Sequence, residues 1–156
     1  MHTEDFKIYK SDDFLDPSHR NLVNKAREAS QTSYSPYSNF QVGAALILDD
    51  GQVITGSNQE NASYPAGLCA ERVALFYVAS QQPNRVIKAI ATVAKRRNED
   101  HFLPVSPCGI CRQVLLEYEL KQKSPIQVIL QSQQGEWVVT RNSKILLPFC
   151  FERDHL

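Results

Sequence analysis

Cys69-Ala70-Glu71 and Pro107-Cys108-Gly109-Ile110-Cys111 are the segments of this chain whose residue types and spacing suit them to chemistry. Three thiolates hold zinc well and leave its fourth position open to water. A C-x-x-C pair alone is ambiguous among zinc, redox chemistry and buried thiols. Glu71 resolves the ambiguity. It stands two residues from Cys69, close enough to stay beside the metal without taking the open position. An open zinc position lowers the pKa of bound water, and a carboxylate that is not a ligand can collect and redeliver the proton. A redox C-x-x-C needs neither Cys69 nor Glu71. The expected cofactor is Zn2+ on Cys69, Cys108 and Cys111, with Glu71 as catalytic proton shuttle.

Three thiolates give such a site a net negative charge, which resists ionisation of the water. Both motifs fall where helices are expected to start, and each helix N-terminus offsets about 0.3–1 kcal/mol near an anion. Arg72, beside Glu71, and Arg112, beside Cys111, can add charge-assisted hydrogen bonds to sulfur, and Arg72 is the favoured partner. Cys150 lies outside both motifs and reads as a buried thiol. Its rival role, the fourth sulfur of a closed structural zinc site, would leave Glu71 without a purpose. His2, His19, His101 and His155 have no ligand spacing to a cysteine motif and read as surface residues.

The elements that must position these groups are legible in outline. Residues 1–15 read as a polar lead-in, with one short strand-like piece, Phe6-Lys7-Ile8-Tyr9, that has no assigned place. Asp16-Pro17 opens a helix carrying Leu22, Val23, Ala26 and Ala29 at helical spacing, which Ser35-Pro36-Tyr37 should end. Residues 40–48 and 52–56 read as strands joined by the turn Asp49-Asp50-Gly51. A helix from about Cys69 ends at Pro83-Asn84. Residues 86–94 form a third strand, a helix starts near Cys108, and 126–130 pairs with 137–140 across Gln134-Gly135. The order predicts an α/β fold in three layers, α-β-α, with a mixed five-stranded sheet and helices on both faces. Residues 16–156 are expected to form a single domain.

The 156 residues fit one domain. Formal net charge is zero. The basic run Lys95-Arg96-Arg97 is followed at once by Asn98-Glu99-Asp100 and reads as a solvated loop, so no nucleic-acid partner is expected. No apolar stretch reaches the roughly eighteen residues a membrane span needs. The polar start MHTEDFKIYKSDDF has no apolar signal-peptide core, which makes a cytoplasmic location the expectation.

As an ordered string of motifs from Ser33 to Phe151, the sequence resembles the cytidine deaminases, specifically the small type with three cysteine ligands that assembles as a homotetramer. SPYSNFQVGAALI resembles the first-strand motif, whose phenylalanine, here Phe40, packs on the pyrimidine. TGSNQENASYPAGLCAER resembles the segment that grips ribose and binds zinc, with Asn58 and Glu60 on the sugar. SPCGICRQVLLE resembles the second metal segment. ILLPFCF resembles the C-terminal segment whose phenylalanine, here Phe151, reaches a neighbouring subunit's pocket. Gln41 stands where the family often has proline, Glu152 where it often has glycine, and Phe149-Cys150 replaces a smaller stretch. These departures touch the intersubunit lid and leave the metal and the shuttle alone.

The resemblance implies zinc-dependent hydrolysis of cytidine, and of deoxycytidine, to the uracil nucleoside and ammonia in pyrimidine salvage. A carboxylate at the sugar 3′-hydroxyl would repel a phosphate there, which favours a free nucleoside. The alternatives are a deaminase for another aminopyrimidine and a non-catalytic binding module folded around four cysteines. Tyr37 and Tyr64 read as packing residues.

Overall fold

The computed structural model describes residues 5–152 and 155–156; His2 lies outside them. Pro17, whose missing N–H costs nothing at a first helical position, follows the N-cap Asp16 and opens α1 (Pro17–Ser30). The helix stops ahead of the expected Ser35-Pro36-Tyr37 signal. Ser30 Oγ donates to Arg27 O and Thr32 Oγ1 to Ala29 O, so side-chain hydroxyls serve carbonyls of the last turn.

Beyond α1 come β2 (Phe40–Leu48) and β3 (Val53–Ser57), then α2 (Ala70–Gln81), β4 (Ile87–Arg96), α3 (Gly109–Gln122), β5 (Gln127–Gln131) and β6 (Trp137–Thr140). The sheet has six strands, not five. Phe6–Tyr9 forms β1 and closes one edge, antiparallel to β6, with Phe6 opposite Thr140 and Tyr9 opposite Trp137. The segment has no turn-linked strand beside it in the chain to pair with; the open edge of β6 places it. The strand order is β1-β6-β5-β4-β2-β3, and the sheet is mixed because β4 and β5 run parallel while the other pairs are antiparallel.

Strand alternation sorts the core into two layers. Ala44, Leu46, Ile90, Val128 and Leu130 face α2 and α3, meeting Ala74, Leu75, Val78 and Leu115. Ala45, Ala91, Val93, Ile129 and Val139 face the other way, onto Leu22, Val23 and Ala26 of α1. His19 belongs to this second side rather than to the surface. Its side chain is 12% exposed and its Nε2 lies 3.2 Å from Gln127 Oε1, because the first turn of α1 rolls it toward the sheet. His101 and His155 are exposed.

Two glycines let helices approach the sheet closely. A Cβ on Gly43 would lie 1.9 Å from Ala26 O in α1. One on Gly56 would lie 2.5 Å from Ala70 O and 2.8 Å from Ala74 N in α2. The second contact fixes the height of α2, and α2 carries Glu71.

Candidate active site

Cys69 and Cys108 are the N-cap residues of α2 and α3. Both have extended backbone, and neither side chain caps its own helix. Their carbonyls instead take the first helical bonds, from Val73 N at 3.1 Å and Arg112 N at 3.0 Å. The thiols are thereby left to face each other across the gap between the helices. The Cys69 and Cys108 sulfurs are 3.7 Å apart, and those of Cys108 and Cys111 are 3.5 Å apart. All three lie within 4.8 Å of one another, graded from exposed Cys108 through half-buried Cys69 to buried Cys111.

This set fits zinc. A tetrahedral ion with bonds of about 2.3 Å to sulfur separates its sulfurs by about 3.8 Å, so the thiols stand almost where the ion requires them. Among the described residues no other cluster of this kind occurs. Cys150 is elsewhere: its thiol donates to Glu152 Oε1 at 2.9 Å, and the same oxygen accepts from Lys144 Nζ at 2.7 Å.

The thiols share protons unevenly. Hydrogen bonding from Cys111, with help from the Arg72 guanidinium and Cys108, draws the Cys69 thiol down to about 5. The same bond, with burial behind it, pushes Cys111 far up. Arg72 Nη2 lies 3.8 Å from Cys69 Sγ and 3.5 Å from Gly67 O. Arg112 turns away, donating to the carbonyls of Pro107 at 2.8 Å and Leu146 at 3.1 Å.

Glu71 sits on the first turn of α2 and is only 3% exposed. Burial pushes its carboxyl above the usual range, and the charge on Cys69 adds to the effect. A cavity of about 840 Å3 opens over it, and Phe40, Asn58 and Glu60 line this cavity together with Cys69, Cys108 and Arg72. Tyr37 and Tyr64 also line it, and both are more than half exposed rather than packed.

Asn58 and Glu60 brace the wall as well as line it. Asn58 Oδ1 accepts from Val42 N at 2.8 Å and from Ser33 Oγ, and its Nδ2 donates to Phe40 O at 2.8 Å. One Nδ2 hydrogen is left to spare. Glu60 Oε2 accepts from Tyr37 N at 2.8 Å, and Oε1 accepts from Ser38 Oγ. The Ser38 hydroxyl is the main cause holding the Glu60 carboxyl below its ordinary range. Phe151 does not line the cavity of its own chain. Its ring stacks on His155 with centroids 5.6 Å apart, its carbonyl accepts from Gln113 Nε2, and it is 58% exposed.

Sequence reasoning missed Arg96 and Thr92, which also line the cavity. Arg96 is the middle of the basic run taken for a loop. It ends β4 directly opposite Phe40, so the two side chains share a face of the sheet. Thr92 lies opposite Ala44 on the same strand. The inward alternation of β4 would have flagged it as a polar residue among apolar ones.

The chain matches the family model described as "Cytidine and deoxycytidylate deaminase zinc-binding region" over residues 16–124. It is 51% identical over 96 residues to a cytidine deaminase of Halalkalibacterium halodurans, covering 62% of this chain and 68% of the relative. A cytidine deaminase of Sporosarcina psychrophila is 39% identical over 135 residues, covering 86% and 92%. Among solved structures, a cytidine deaminase crystal structure from Burkholderia pseudomallei superposes with a TM-score of 0.70 at 42% identity, covering 85% of this chain and 98% of that one.

Proposed function

The chain belongs to the cytidine and deoxycytidylate deaminase family, and from that premise we propose that it is a hydrolase converting cytidine and water to uridine and ammonia, with deoxycytidine as a second substrate. The observation that carries this reading is the buried Glu71 carboxyl, placed in one cavity with three thiols spaced for zinc.

Cys69, Cys108 and Cys111 hold the zinc. What the metal supplies when bound is a lowered pKa for water, so that hydroxide is available at neutral pH. Glu71 does the proton work. Its carboxylate takes one proton from the attacking water and delivers it to ring N3, then takes the second from the hydroxyl left on C4 and passes it to the departing amine. A carboxyl raised by burial suits this task, since it is a stronger base than a solvated one and still gives the proton back. Arg72, within reach of the Cys69 sulfur, offsets part of the charge of three thiolates. The Phe40 ring packs on the pyrimidine. Asn58 donates its spare N–H and Glu60 accepts at the sugar hydroxyls. Their bracing bonds hold both groups in place before substrate arrives, which lowers the entropy cost of binding.

The same reading makes the enzyme a homotetramer in which Phe151 crosses into a neighbour's cavity. Its exposed ring, and the exposed Phe76, Tyr77 and Ile110 on α2 and α3, support an association of this kind. Residues 16–156 are taken as the deaminase domain, with 1–15 as a lead-in that lends the sheet its edge strand. The setting is pyrimidine salvage in the cytoplasm, as the family resemblance and the polar start of the chain suggest. No helix among the described residues is long and apolar enough to cross a membrane. One assay tests the function. The absorbance change should follow for cytidine and deoxycytidine and be absent for CMP, cytosine and adenosine. Turnover of CMP in preference to cytidine would refute the nucleoside reading.

A further inference from the structure

Thr92 is 1% exposed, and its Oγ1 has no hydrogen-bond partner. A buried hydroxyl left in that state has lost its bonds to water and gained none in return. Nothing in the packing asks for it. Thr92 sits in mid-strand opposite Ala44, and its inward neighbours on β4, Ile90 and Ala94, are apolar and fully buried. Valine has the same shape and equal liking for a strand, without the penalty. The residue nevertheless lines the cavity that holds Glu71 and Cys108. Glu71, although it lines the same cavity, is not its hydrogen-bond partner. Unsatisfied buried groups are rare in folded proteins, and each asks for an explanation.

We propose that the Thr92 hydroxyl is a recognition group that hydrogen-bonds the reacting edge of the bound pyrimidine. The inference rests on the deaminase reading above. For Glu71 to reach N3 and the exocyclic amine, that edge of the ring must point to the buried end of the cavity, and Glu71 and Thr92 are both buried lining residues of it. A hydroxyl both donates and accepts, so it can serve the amine of the substrate and the carbonyl that replaces it in the product. In the free protein the hydroxyl is turned away from the open cavity, and a staggered rotation about χ1, which exchanges hydroxyl and methyl, presents it to the ring. An aliphatic side chain there would pack equally well and would tell the polar edge of a pyrimidine from nothing.

The test compares zinc-loaded wild type with T92V and T92S. Kinetics on cytidine, calorimetric binding of uridine and the thermal midpoint are read on each. For T92V, the KM for cytidine and the Kd for uridine should both rise about tenfold while kcat changes less. Its thermal midpoint should hold or rise by about 2 °C, because an unpartnered hydroxyl has been removed. T92S should restore both affinities to within about threefold of wild type. T92V with unchanged KM and uridine affinity overturns the proposal. So does a fall in kcat alone, which would mean that Thr92 acts on Glu71. Equal impairment of T92V and T92S with a lowered midpoint also overturns it, since that marks a packing role. Wild-type turnover of cytidine in the same series tests the deaminase reading separately.

Discussion

Cys69 and Cys108, 39 residues apart in the chain, each cap a helix, and their sulfurs meet at 3.7 Å. Two helix N-termini therefore aim at one point between α2 and α3. The partial positive charge of both ends falls on the thiolates, and the carboxylate of the first turn of α2 is carried to the same place. The predictions below follow from this convergence.

Glu71→Ala should keep zinc at one ion per chain and lower turnover of cytidine by about 10^2–10^4-fold, the usual contribution of a positioned acid–base group. The carboxyl lies beside the thiols without being one of the three sulfur donors. Metal content and deamination are measured on one sample. A zinc-loaded variant with normal turnover would remove Glu71 from the mechanism.

Zinc entry should release protons. In the metal-free protein at neutral pH, Cys69, drawn down to about 5, is already a thiolate, whereas the raised Cys111 keeps its proton. Binding must expel the Cys111 proton, so affinity should weaken as pH falls and strengthen as it rises. Calorimetry of zinc binding in buffers of different ionisation enthalpy reads this directly. Heats that do not depend on the buffer would contradict the assignment.

Cys150→Ser should leave zinc stoichiometry and most of the activity intact. The thiol is tied to Glu152 and Lys144 rather than to the metal group. Loss of zinc from a folded variant would instead favour a four-cysteine site.

Gly56→Val should destabilise the fold by about 1–3 kcal/mol through overpacking. The new Cβ would fall on the backbone of α2 at Ala70 and Ala74, which cannot rotate away as a side chain would. Because α2 also carries Glu71, with Cys69 at its cap, zinc retention should fall in parallel. A denaturation midpoint equal to wild type would show that the helix moves without cost.

Mixing Glu71→Ala with Phe151→Ala should restore activity that neither variant has alone. Phe151 does not line its own chain's cavity, and its ring is largely exposed. If the chain assembles as the proposed tetramer, some cavities of the mixture combine an intact Glu71 with a neighbour's intact Phe151. An aromatic ring over the base excludes water and adds stacking there. If mixtures stay inactive, Phe151 serves only its own chain; full activity of Phe151→Ala alone would end the lid idea.

The chemistry of the site was legible in the sequence because donor type is a property of the residue itself. Three thiols with a carboxylate beside them point to a zinc site, and the helical periodicity after Cys69 and Cys108 placed both motifs at helix starts. The other five strands were legible for the same reason, since apolar runs and the turn signals between them are local. What only the tertiary structure decided are distances between segments remote in sequence. The gap between α2 and α3 sets the sulfur separations, and Gly56 sets the depth of Glu71. The free edge of β6 recruits Phe6–Tyr9, and the roll of α1 buries His19. The register of β4 against β2 brings Arg96 opposite Phe40 and Thr92 opposite Ala44, and both Arg96 and Thr92 line the cavity. Residue types and local periods are written in the chain; register and interhelical spacing arise from packing, where side chains distant in sequence compete for the same volume.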